Sequence, residues 1–85
     1  MLTKTKNKYP NFSESATYQL RVVGNVKVEW ADRIRDLQII KEKDASNVTV
    51  SVLTGQVEDQ AALLGIINTL CEFHLVLLSV RFLSK

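Results

Sequence analysis

The chain has little of what most function classes require. A single cysteine, Cys71, excludes an intramolecular disulfide, and the chain reads as cytoplasmic rather than as a stapled secreted module. Three glycines are too few to build a phosphate cradle, and no P-loop, Rossmann or nucleophile-elbow motif occurs. Long apolar runs are also missing. Residues 61–83 are apolar overall, but Glu72, His74 and Arg81 interrupt them before the roughly 20 residues that a membrane-spanning helix requires. The N-terminus has no apolar core, so neither a signal peptide nor an anchor is expected.

Charge of one sign is equally scarce. The net charge of +2 comes from Lys4, Lys6 and Lys8, set against Glu14, because residues 17–85 carry as many acidic as basic side chains. A neutral body lacks the electrostatic footprint that phosphates demand, so nucleic acid is not an expected partner.

What is present is a core. Leu, Ile and Val are concentrated after Ala16, enough to fold a single domain over residues 17–85. Residues 1–16, rich in Lys, Asn, Ser and Thr and holding the only proline, Pro10, read as a flexible N-terminal arm.

Thr17 to Val23 alternates, with Tyr18, Leu20 and Val22 on one side, which predicts a half-buried strand. Gly24-Asn25 breaks it, and Asn25 is placed to cap a short helix carrying Val26, Trp30 and Ile34, although Val26, Val28 and Trp30 also alternate and fit an extended first turn. Leu37 to Glu42 gives a second strand with Leu37 and Ile39 inward. A turn over Lys43 to Asn47 leads to a third strand with Val48, Val50 and Val52 inward, ending at Thr54-Gly55. A second helix capped by Asp59 runs to Glu72 with Leu63, Ile66, Ile67 and Leu70 on its apolar face. Leu75 to Leu83 closes the chain as a strand, with Val76, Leu78, Val80 and Phe82 facing one way and Leu77, Ser79, Arg81 and Leu83 the other. The order predicts an α+β fold: a ferredoxin-like βαββαβ sandwich, with an antiparallel four-stranded sheet and two helices on one face.

The stretch Thr54-Gly55-Gln56-Val57-Glu58-Asp59-Gln60-Ala61-Ala62-Leu63, followed by Leu77-Leu78-Ser79-Val80, resembles a group of short uncharacterised bacterial proteins with a T-G-x-V-x-D-Q-A-A-L … L-L-S-V pattern. With Val23-Gly24 and Trp30, the resemblance extends over about residues 18–83. It implies no known activity. The chain departs from the pattern at Leu64, where the group frequently has a histidine, and over Cys71 to His74, where a more polar helix end is usual.

No residue constellation points to catalysis. Cys71 and His74 are three apart, yet a closed zinc site needs four ligands, and Cys71 falls on the apolar flank. Glu58 and Asp59 are explained by helix capping and the helix dipole. No enzyme, metal or cofactor is expected. The most informative feature is the outward sheet face, where Arg21, Val23, Ile40, Leu53, Leu77, Arg81 and Leu83 mix apolar and charged groups without an aromatic stacking platform. Such a face marks an interaction surface. It predicts a homodimer acting as a protein-interaction module, joined through the sheet face or an edge strand, with an unknown protein as a further partner. The alternatives are a regulatory small-ligand-binding domain with its site at a dimer interface, and an arm folded back across the face.

Overall fold

In the computed structural model the described residues are 8–27 and 37–85. They form strands β1 (Ala16–Val23), β2 (Gln38–Lys43) and β3 (Thr49–Val57), helix α1 (Gln60–Glu72) and strand β4 (Val76–Ser84). The strands make one antiparallel sheet in the order β2-β3-β1-β4, so among the described residues β1 and β3 are interior and β2 and β4 are its two edges.

The expected ferredoxin-like sandwich with two helices is therefore corrected: among the described residues one helix, α1, lies against the four-stranded sheet. The expected N-terminal helix begins at Asn25. Residues 25–27 are irregular, and the Val26 N–H is donated to the Ser51 hydroxyl at 3.1 Å. Trp30 and Ile34, which complete that helical pattern, lie outside the described residues.

Ser51 also donates its hydroxyl to the Gly24 carbonyl at 2.7 Å, and the Gly24 N–H bonds the Thr49 carbonyl at 2.9 Å. One fully buried side chain thus satisfies two backbone groups of the segment leaving β1 and carries Val26 into the core. Gly24 itself sits at φ 117, a region L side chains avoid, and a Cβ there would come within 2.8 Å of Leu75 Cδ2.

Pairing decides which residues share a face. Leu20 lies opposite Leu53, Val22 opposite Ser51, and Ile39 also opposite Leu53. Leu20, Val22 and Leu53 join Leu63, Ile66 and Leu70 of α1, with Val26, Leu37 and Val57, in one buried cluster. The expected orientation of β3 is thereby reversed. Ser51, Leu53 and Val57 face the helix, whereas Val50 and Val52 lie opposite Val23 and Arg21 on the far face. Val50 and Val52 are nonetheless only 3% and 5% exposed, so both sides of this interior strand are buried and its alternation carries no clear sign. The strand also runs on past Gly55 to Val57, with Tyr18 directly opposite Gly55.

The hairpin turn forms where expected. Asp44 Oδ1 accepts from the backbone N–H groups of Ser46 and Val48 at 2.8 and 2.9 Å, and Asn47 takes a positive φ of 66. Asp59 caps α1, its Oδ1 accepting from the Ala62 N–H at 2.8 Å. At the other end Leu75 N–H bonds the Leu70 carbonyl and His74 N–H the Cys71 carbonyl, with His74 at φ 62. This is a Schellman closure with histidine in the left-handed position usually held by glycine.

Two outcomes test this account. Ser51→Ala strands the Gly24 carbonyl and Val26 N–H, and is expected to lower unfolding free energy by about 1–3 kcal/mol in urea titrations. His74→Gly relieves the left-handed backbone, and is expected to raise it by up to about 1 kcal/mol in the same assay.

Candidate functional site

The residues expected to form one interaction face are not all brought together. Arg21, Val23, Ile40 and Arg81 share the far face: Arg21 and Ile40 both lie opposite Val52, Val23 opposite Val50, and Arg81 opposite Gln19. Leu53 is instead fully buried under α1. Leu77 pairs with Val22, on the helix side, because the β1–β4 register shifts between Arg21 and Val22 and leaves Leu78 as the extra residue. A second irregularity between Thr17 and Tyr18 makes Leu83 an extra residue in the same way.

The far face is also less apolar than expected. The Arg21 guanidinium and the Glu42 carboxylate meet at 2.9 Å, reaching from β1 to β2 across the Val50 and Val52 positions of β3. Both groups are over a third exposed, and such a pair contributes at most about 1 kcal/mol. Its effect is to place charge above two valines.

Exposed apolar side chains concentrate elsewhere, on β4. Val76, Leu77, Leu78, Val80 and Leu83 are half of the large exposed hydrophobics among the described residues, and Val76 and Leu78 are 60% and 51% exposed. The two sheet edges contrast sharply. Edge β2 carries Lys41, Glu42 and Lys43 in six residues. Edge β4 carries Arg81 alone in nine. Charge on an edge strand discourages pairing with another chain, and β4 has little of it. Its outer row of backbone N–H and C=O groups faces no strand among the described residues.

The sequence signal for this edge is the apolar character of both alternating sets in Leu75 to Leu83. That pattern ordinarily belongs to a strand buried on both faces. Only the strand order shows that it lies at the rim.

Residues 8–15 dock beside the end of β4, on the helix side. The Tyr9 ring lies 5.4 Å from that of Phe82, which in turn meets Tyr18 at 6.1 Å. The Gln60 N–H bonds the Phe12 carbonyl at 3.0 Å, and Glu14 meets Lys85 at 3.4 Å. This part of the arm does not cross the far face, since Phe82 pairs with Tyr18 on the side of α1. Cys71 and His74 are both exposed at the helix end, and the described residues hold no cluster of three or more metal-ligating side chains. No described helix is long and apolar enough to cross a membrane.

The hydrogen bond from the Asn11 N–H holds the Glu14 carboxyl below its ordinary range; desolvation opposes it, and the charge of Lys85 adds to the lowering. A lowered carboxylate pKa strengthens the folded contact above the unfolded value and loses that contribution as pH falls through the folded one. The Asn11 amide and Tyr9 ring resonances are therefore expected to move together on acidification below the usual carboxylate range, read by NMR titration. Glu14→Gln is expected to abolish that step.

No curated protein and no solved structure matches the chain. Residues 17–81, from the second residue of β1 into β4, match the family described as a domain of unknown function (DUF8691), and the chain belongs to that family.

Proposed function

We infer that this domain is a non-catalytic, self-associating protein-interaction module that works by adding a strand to the β4 edge. The observation that carries the reading is the asymmetry between the edges: β2 is guarded by three adjacent charges, and β4 presents five exposed apolar side chains with one charge. Pairing at β4 satisfies its outer backbone groups and removes apolar surface from water in the same step. Each Å² of apolar surface so covered contributes about 25 cal/mol. Main-chain hydrogen bonds supply affinity, and alternate side chains supply selectivity.

Of the far-face residues, Ile40, at 52% exposed, and Arg81 flank the two edges. The salt-bridged centre between them is a poor apolar contact, which favours the edge over the face. The reading makes Leu78 and Val80, rather than Leu53, the residues on which association depends.

Light scattering across a concentration series tests it. The full chain is expected to reach the mass of a dimer, and Val80→Lys to return it to the monomer with an unchanged far-ultraviolet circular dichroism spectrum. Leu78→Lys, at a more exposed position of the register irregularity, is expected to do the same if Val80→Lys fails to fold. A monomer at every concentration, or a dimer indifferent to both substitutions, overturns the reading.

A further inference from the structure

We propose that β4 pairs antiparallel with β4 of a second copy about a twofold axis at Val80, joining two sheets into one of eight strands with both α1 helices on the same side. This rests on the strand-addition reading and specifies its geometry. Directly opposed residues in an antiparallel pair put their side chains on one face. An axis that makes two identical strands antiparallel within a sheet stands perpendicular to it, and so passes through a residue position rather than between two residues. The sheet's helix-bearing face is then common to both copies.

Three observations select Val80 as that position. It is the midpoint of Val76–Ser84, so only this register pairs the strand along its whole length. The regular part of β4 lies between the two irregularities at Leu78 and Leu83, and the residues nearest its centre are Val80 and Arg81. Centring on Arg81 sets two guanidinium groups opposite each other, and like charges directly across a pair are destabilising. Centring on Val80 sets Arg81 opposite Ser79 of the second copy.

That register is also self-complementary in apolar character. Val80 meets its own counterpart, and Leu78 meets Phe82. Ser79 adds a polar consideration: its hydroxyl is buried without a hydrogen-bond partner among the described residues. In the paired sheet the residue facing it from the second copy is Arg81, a donor. An isologous contact of this kind closes after two copies and does not propagate, because each copy offers one unguarded edge.

Site-directed cross-linking separates the register from the edge. In a Cys71→Ser background, Val80→Cys treated with the thiol oxidant diamide is expected to yield a covalent species of twice the chain mass. Ser79→Cys and Arg81→Cys are each expected to remain uncross-linked alone, and to yield that species when mixed. The mixed pair tests the register even if Val80→Cys is poorly folded. A dimeric mass by light scattering with cross-linking confined to other positions overturns the Val80 axis while leaving the edge reading intact. A monomeric mass throughout overturns both.

Discussion

The structure depends on the pairing of β1 with β3, and within it on Leu20 facing Leu53 beneath α1. Both side chains are fully buried in the cluster built with Leu63, Ile66 and Leu70. A slip of one residue along either strand would turn every side chain to the opposite face, so this pair determines which side of the sheet the helix can cover. Ser51, two residues before Leu53, reinforces the register with a different kind of force. Its hydroxyl ties both the Gly24 carbonyl and the Val26 N–H, so the chain can leave β1 only where β3 holds Ser51 in place.

From that ladder the roles of the two outer strands follow. Each interior strand has its backbone groups taken from both sides; among the described residues β2 and β4 have a strand neighbour on one side. The protein treats these two edges differently. On β2, Lys41, Glu42 and Lys43 surround the exposed backbone with charge, and Glu42 reaches back to Arg21. On β4 the corresponding surface is aliphatic, broken only by Arg81, and two register irregularities leave Leu78 and Leu83 as extra residues. An edge of this composition is a hazard unless it is paired, and this is the ground of the proposed strand addition.

The helix is anchored from three directions. Asp59 satisfies its first turn, the Schellman closure at His74 satisfies its last, and Leu75 turns back onto the core as the chain enters β4. The approach of Leu75 to Gly24 then joins the end of the helical crossover to the exit from β1. Residues 8–15 add a latch at the opposite end, where Tyr9 covers Phe82 and the Phe12 carbonyl receives the Gln60 N–H. These contacts place the arm beside the terminus of β4 rather than over the far face.

By itself the sequence determined the local elements whose causes are local. Alternation of Tyr18, Leu20 and Val22 specified β1 and its inward side, Asp44 and Asn47 specified the hairpin turn, and Asp59 with Leu63, Ile66 and Leu70 specified α1 and its apolar face. The family match over residues 17–81 places the chain in a family of unknown function. Only the tertiary structure decided the rest. Which face β3 turns to the helix is not written in Val48 to Leu53, because an interior strand buries both its sides and either alternating set satisfies the pattern. The orientation of Leu77 depended on a register shift that no local propensity encodes, and the Val26 N–H is taken by a serine 25 residues further on. That β4 lies at a rim is a fact of strand order alone, since an apolar strand looks the same in sequence whether its neighbour is another strand of its own chain or the edge of a second copy.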